Sequence, residues 1–471
     1  MLLECFPTIG RSAIVKALRT FLSSVWFIVL IALLMVCANL FSWELPVFYL
    51  YLILGAFIVL LGDDLKGVIP IACCAYMTLS YENNPAVSME TSAFYKPDFV
   101  VQFVFILAVA VILLLGRLIT ILMRGEKKKV PALALGFGAL GLSFVLGGLF
   151  SEYYGFRTAF FGFVVIASLC GLYFFFYYGV DWKKTEKDYF AYLFLIIGLF
   201  LLVELLGMYL KSGILTDGSL DRGVLITGWG MYNNVGCVLC ACLPAPLYLA
   251  LEKRRGWIYT ALSLVLVIGL VFTQSRGSML FGAPIYLAGM IIVLVKCKKR
   301  ERISHLIVLG VALISAILVT VIFRNKFIEL FSDIIEKFQN GDIANGRMPI
   351  YKQGIEHFLS QPVFGVGFYQ CNAFRWGHLT AESFLPPRYH NTIIQVLASG
   401  GIFSLLCYLV HRVETLVLIC HRPSREKTFL ALSVAGILLT SLVECHLFSF
   451  GPALLYGVLL VFAEGRDLAQ E

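Results

Sequence analysis

The chain has 471 residues, 60% of them hydrophobic and only 14% charged, with a mean hydropathy of +0.87. Repeated apolar runs of about 20 residues, the length that crosses a bilayer as a helix, exclude a soluble globular class and predict an all-α polytopic membrane protein. The net charge of +8 comes largely from short basic connections between those runs, and no nucleic-acid, zinc, Walker or dinucleotide signature accompanies it.

About fourteen spans are predicted from length, composition and bounding charges. In chain order they cover 24–41, 46–61, 65–80, 99–123, 131–150, 159–180, 189–210, 231–251, 257–273, 279–297, 305–323, 391–419, 428–447 and 449–463. The last is short. Arg11, Lys16 and Arg19 precede a first run long enough to span, which reads as a retained signal anchor rather than a cleaved peptide. The connections 124–129, 183–187, 253–255, 298–300 and 421–427 are short and basic and fall at every second position. The positive-inside rule then places them, and both termini, in the cytoplasm. The 13 cysteines are an odd number and sit almost entirely inside the spans, where Cys acts as a small apolar side chain. Cys237 and Cys240 have C-x-x-C spacing, but without His or acidic companions packing outweighs a metal site.

The connection 324–389 is the one long external loop, and loops of that length are usually functional. Its first part sets Phe327, Leu330, Phe331, Ile334, Ile335 and Phe338 on one stripe, the pattern of a helix lying in the membrane interface. A second short helix is predicted to start near Pro349, where proline's missing N–H costs nothing, and to end at Gln361-Pro362. Arg347 sits just outside that helix start, where guanidinium and backbone amides together suit an anion. Phe364-Gly-Val-Gly-Phe368 reads as a tight turn. Tyr389-His-Asn391 closes the loop and puts His390 at the water-facing end of the next span, as a proton acceptor or as a simple helix cap. Earlier in the chain, Thr273-Gln-Ser-Arg-Gly-Ser278 places Arg276 between two apolar runs, where a guanidinium either finds an anionic partner or snorkels to the surface. Gly277 there permits a tight turn.

Glu204 and Glu444 lie in the outer third of apolar spans, where an ionisable group faces a polar cavity or makes a structural hydrogen bond. Asn233 and Asn234 open the eighth span in the same layer, and capping is the stronger reading for at least one of them. His357 and His378 lack a surrounding constellation and read as surface residues.

Ser275-Arg276-Gly277 between two spans, a long external loop with Gly346-Arg347 and Gly365-Val-Gly367, then His390-Asn391 leading into 395–401, resemble the shared region of bacterial O-antigen ligases and O-antigen polymerases. The resemblance covers roughly 232–398, with the motifs in order and on one membrane face. It implies a metal-independent, cofactor-free membrane glycosyltransferase of the type C kind, with a capping external loop, in the bacterial cytoplasmic membrane. Its donor would be a glycan on undecaprenyl diphosphate and its acceptor a surface glycan or glycolipid. By resemblance Arg276 and Arg347 grip the diphosphate and His390 takes the proton from the acceptor hydroxyl. Ser275, Arg388, Asn391, Glu204 and Glu444 complete the substrate-binding candidates. Residues 1–230 would form an N-terminal bundle and 231–471 the catalytic region. Fourteen spans exceed the dozen or so usual in the family, and no motif for a lipid A core acceptor is visible. Two other classes compete. A transporter of small anions would show an inverted repeat or matching broken helices, and a flippase of lipid-linked sugars would carry polar residues through mid-bundle rather than on one face.

Overall fold

A helix buried on every side is apolar all round, whereas one facing lipid needs no polar stripe either. Packing rather than patterning therefore decides where each helix sits. The structure, a computed structural model, describes residues 13–41, 43–79, 97–124, 129–152, 154–211, 226–227, 230–322, 346–368 and 389–470, with single residues 324, 332 and 339 besides. The predicted interfacial helix 326–339, Arg388 and His378 lie outside the described residues.

The elements in order begin with α1 (Ala13–Leu22), α2 (Val25–Phe41), α3 (Glu44–Leu61), α4 (Val68–Leu79), α5 (Pro97–Arg124), α6 (Ala134–Val145), α7 (Phe156–Gly179) and α8 (Tyr189–Lys211). A two-residue hairpin, β1 (Ile226–Thr227) with β2 (Gly230–Met231), precedes α9 (Tyr232–Cys242), α10 (Pro244–Glu252), α11 (Gly256–Phe272), α12 (Arg276–Lys296) and α13 (Lys299–Ile322). The chain closes with α14 (Met348–Ser360), α15 (Thr392–Cys420), α16 (Arg425–Thr440), a 3₁₀ turn (His446–Phe448) and α17 (Phe450–Leu468).

The protein is helical and membrane-spanning, as its composition requires, but the count of fourteen spans is not reproduced. Among the described residues seven helices are long and apolar enough to cross a membrane, or eight if α1 and α2, bent by 63°, form one span. The difference has a physical source. Several apolar runs break before reaching about 20 residues, the length a bilayer needs. Helix α6 stops at Val145, and α16 stops at Thr440, after which the chain turns.

Helix α17 lies at the centre. It is buried from Gly451 to Asp467 apart from Leu454, and packs on α7, α16, α4 and α9. Helices α9 and α10, joined at Pro244, form a second buried column against α16, α11 and α12. Helix α13 packs chiefly on α11 and leaves most of its surface outward.

Helix α15 kinks at Gly401 (φ 66°), and the segment after α14 fills the kink. Val366 N–H donates to the Ala398 carbonyl at 2.8 Å and Gly367 N–H to that of Ser399 at 2.9 Å, while Ile402 N–H donates to Pro362 O at 2.9 Å. A Cβ at Gly401 would sit 2.3 Å from Val363 O, so the crossing requires glycine both for its left-handed backbone and for the close approach. These residues lie about two turns, on the order of 10 Å, inside α15. Phe364-Gly-Val-Gly-Phe368 thus turns back as its sequence implies, but as a segment dipping into the bundle with its backbone groups paired to protein, the condition for irregular chain at membrane depth.

At the other end of α16 the helix ends are tied by buried ion pairs. Arg466 Nε meets Glu426 Oε1 at 2.6 Å, and its other nitrogens donate to the Thr185 and Glu186 carbonyls. Lys427 meets both Asp467 oxygens at 2.9 Å. Arg466→Ala would leave Glu426 a buried, unpaired carboxylate, and we expect it to cost ~3–5 kcal/mol. The thermal midpoint in detergent checks this. Arg466→Met combined with Glu426→Leu should cost less, and a double variant worse than the single would refute the account.

Candidate functional site

The turn 441–446 between α16 and the 3₁₀ segment collects the polar groups of five elements. It is held from outside: Thr392 N–H donates to Ser441 O at 3.0 Å, Asn391 Nδ2 to Leu442 O at 2.8 Å, and the Arg347 guanidinium to Val443 O. Glu444 therefore lies not in a membrane helix, as the apolar run 428–447 suggests, but in a turn fixed by its neighbours.

The Glu444 carboxylate has a donor in each direction. Oε1 accepts from His390 Nδ1 at 2.5 Å and from Cys445 N–H at 3.1 Å. Oε2 accepts from Arg347 Nη2 at 3.1 Å and from Asn233 Nδ2 at 3.2 Å. The side chain is 9% exposed, against 19% for Arg347 and 18% for His390. Burial alone would raise the carboxyl pKa. The hydrogen bond and charge of His390, then His446 and Arg347, overturn this and bring it down to about 2. An ionised carboxylate only accepts hydrogen bonds, so Nδ1 of His390 carries the hydrogen. Whenever the ring is neutral, its lone pair is then on Nε2.

Helix α14 sets the spacing between the arginine and the histidine. It starts at Met348 with Pro349 in its first turn, as predicted, and Arg347 is its N-cap. Residues 347, 351 and 354 share one face at i, i+4 and i+7 spacing. Tyr351 OH donates to the His390 carbonyl at 3.3 Å and is itself reached by Arg347. A Cβ at Gly354 would meet Ile394 at 2.4 Å and Tyr389 at 2.7 Å, so α14 presses directly on the start of α15. His357, read from sequence as a surface residue, pairs with Tyr389 OH at 2.7 Å instead. Arg347 does not wait bare beside the amides of its helix; it is already held by a carboxylate and a carbonyl. A guanidinium has five N–H donors, so these contacts leave others for an anion.

His390 is not a helix cap. Asn391 takes that role, accepting from the Ile393 and Ile394 amides at 2.9 and 3.1 Å. Its side chain thus positions the start of α15 against the turn at Leu442. His390 itself adopts φ 50°, an uncommon conformation for a non-glycine residue, with its ring directed onto Glu444.

Arg276 is half-buried at the first position of α12, and among the described residues no carboxylate pairs with it. Its turn abuts the site, because a Cβ on Gly277 would fall 2.5 Å from Val443. The left-handed residue of that turn is Gln274 (φ 52°), so Gly277 serves close packing and not the turn. Ser275 Oγ donates to Asn233 Oδ1 at 2.9 Å. Asn233 and Asn234 lie inside the first turn of α9, and neither caps it. Asn234 Oδ1 instead accepts from His446 Nδ1 at 3.0 Å.

Glu204 is not brought to this cluster. It is buried in α8 with its Oε1 accepting from Asn39 Nδ2 of α2 at 2.7 Å. Sequence reasoning missed His446, Tyr351 and the bridging role of Asn233. The one signal for His446 was its place two residues after Glu444. Cys237 and Cys240 are buried in α9, and among the described residues no group of three or more His, Cys, Asp or Glu is placed to hold a metal ion.

With its pKa held near 2, Glu444 contributes stability that is fully present above the ordinary carboxylate range and is lost as pH falls from that range through about 2. The stability gap between wild type and Glu444→Gln, expected at about 1.5–3 kcal/mol near pH 5 for its charged hydrogen bonds, should shrink as pH falls from about 5 toward 2. Thermal midpoints in one detergent measure it. A gap that stays constant over that fall would mean an ordinary carboxylate.

Residues 261–409, about a third of the chain, match the family model described as O-Antigen ligase. No curated protein gives a significant match. Arg276, Arg347 and His390 fall inside the matched stretch, while Asn233, Glu444 and His446 lie outside it and are joined to it by the fold. Over this stretch the chain is therefore similar to the O-antigen ligase family.

Proposed function

We propose that this protein is a membrane glycosyltransferase that transfers or polymerises a glycan carried on undecaprenyl diphosphate, with a surface glycan or glycolipid as acceptor. The observation that carries the reading is the Arg347–Glu444–His390 cluster, in which a carboxylate orients an imidazole beside a partly free guanidinium. The acceptor hydroxyl oxygen attacks the anomeric carbon of the donor glycan as His390 Nε2 takes its proton. The bond from that carbon to the phosphate oxygen breaks, and undecaprenyl diphosphate leaves with the electron pair. Arg347 and Arg276 offset the charge that builds on the leaving diphosphate, a role suited to a bidentate planar cation. The glycosyl–phosphate bond supplies the free energy, so no nucleotide enters the reaction.

The test is purified protein with a defined diphosphate-linked glycan. We expect release of undecaprenyl diphosphate together with a transferred or lengthened glycan. Arg276→Ala and Arg347→Ala should abolish transfer. Arg347→Lys, which keeps the ion pair to Glu444 but not the fork, should restore it only partly. Wild-type protein that binds the donor yet neither releases diphosphate nor extends the glycan would exclude the reading.

Two further outcomes follow. His390→Ala should slow transfer by roughly 10²-fold or more with donor binding nearly intact, the scale for losing a positioned base. Because Asn391 already caps α15, His390→Asn should be equally slow, and near-normal turnover there would assign the base elsewhere. The donor presents its glycan outside the cell, so a cysteine replacing exposed Lys352 on α14 should be labelled by an impermeant reagent from that side. Labelling only from the cytoplasm would remove the donor assignment.

A further inference from the structure

The first turn of α9 holds an amide with two opposed engagements. Asn233 Nδ2 donates to Glu444 Oε2 at 3.2 Å, and its Oδ1 accepts from Ser275 Oγ at 2.9 Å. Ser275 Oγ also lies 2.9 Å from Ser278 Oγ. A serine has one hydroxyl hydrogen. That of Ser275 is directed at Asn233 Oδ1 or at Ser278 Oγ, both placed as acceptors, so the order runs from Ser275 through Asn233 to Glu444. The same order fixes the amide: turned over, it would set oxygen against carboxylate and nitrogen against hydroxyl. The approach depends on Gly236, one turn further on, where a Cβ would fall 2.4 Å from Ser278 Oγ and 3.0 Å from Ser275 Cβ.

The consequence concerns the carboxylate. Its Oε2 is shared by Arg347 and Asn233, which approach from α14 and α9, and its Oε1 faces His390. Arg347 alone would let the carboxylate rotate toward the guanidinium and away from the imidazole. Asn233 on Oε2, together with the Cys445 N–H on Oε1, prevents this. Around the carboxylate stand His390, Arg347, His446, Tyr351 and Cys237. Asn233 ties it to the turn of Arg276.

The geometry points to Asn233 as a positioning residue for glycan transfer, one that acts through Glu444 on His390 and couples the Ser275–Arg276 turn to the base. The inference rests on the reaction proposed above. Asn233 contacts neither donor nor acceptor in this role, so its loss should show in turnover and not in donor affinity.

The experiment is a double-mutant cycle of Asn233→Ala and Glu444→Gln in the full-length protein, assayed with the undecaprenyl-diphosphate-linked glycan. Asn233→Ala alone should lower kcat on the order of tenfold, the scale of a lost hydrogen bond to a charged group, with KM for the donor unchanged. On the Glu444→Gln background the same change should cost no more than about threefold, since the charge it supports is gone. Asn233→Asp, isosteric but placing a second carboxylate against Glu444, should be slower than Asn233→Ala. Equal losses on both backgrounds, or a raised donor KM at unchanged kcat, would overturn the assignment. The thermal midpoints of the same four proteins give the Asn233–Glu444 coupling without any assay of transfer. A wild type without transferase activity would therefore sink the reaction, while additive midpoints would sink the coupling.

Discussion

The site depends on one carboxylate that receives hydrogen bonds from four groups. Glu444 is buried, and a buried charge is tolerated only when paired and hydrogen-bonded. Here that requirement organises the surroundings, because the donors come from α9, α14, the approach to α15 and the turn's own backbone. Each donor is in turn anchored: Asn233 by Ser275, Arg347 by Val443 O, His390 through Tyr351 and the strained backbone at its own φ. Removing the carboxylate would disconnect the arginine from the histidine. The proposed acid–base chemistry follows from the asymmetry of an acceptor that fixes Nδ1 and leaves Nε2 for a hydroxyl.

That arrangement needs a rigid base beneath it, and the crossing of 361–368 with α15 provides one. Helix α14 carries Arg347 at its start, and its continuation is pinned to Ala398 and Ser399 two turns inside α15. The helix is thus held at both ends, by Glu444 above and by backbone pairing below. Phe144, Phe368 and Phe448 meet beside the crossing with ring centroids 4.8 to 5.8 Å apart, a dry aromatic support in which packing resists small displacements.

What the sequence made legible is local. Pro349 announced the start of α14 and with it the place of Arg347. The apolar runs announced most helices, and the order of Arg276, Arg347 and His390 announced the matched domain. What it hid depends on distant contacts. The run 428–447 has no proline, and its one glycine, Gly436, lies inside the helix packed against Cys240, so neither marks a break at Thr440; the turn exists because Asn391, Thr392 and Arg347 bind its carbonyls. Glu204 and Glu444 give the same signal, an acid near the end of an apolar run. Only the fold decides that one meets Asn39 and the other a histidine and an arginine. His357 looked solitary because its partner Tyr389 is 32 positions away.

The two ends of α16 use charge in opposite ways, and the contrast bears on what the site can accept. At its N-terminal end five ion pairs gather: Arg466 with Glu426, Lys427 with Asp467, Arg425 with Glu252, Lys66 with Glu186, Lys253 with Asp188. Within each pair the charges offset, and their effect is to fix helix ends. At the site end, among the described residues, a single carboxylate faces Arg347, with His390 and His446 beside it and Arg276 in the adjoining turn. Positive charge exceeds negative there, in a place where removal from water strengthens every electrostatic contact. An anion carrying more than one charge balances that excess better than a neutral sugar does. In the proposed reaction the surplus would favour recognition of the donor through its diphosphate, and the glycan could vary in identity and length without disturbing the groups that hold it.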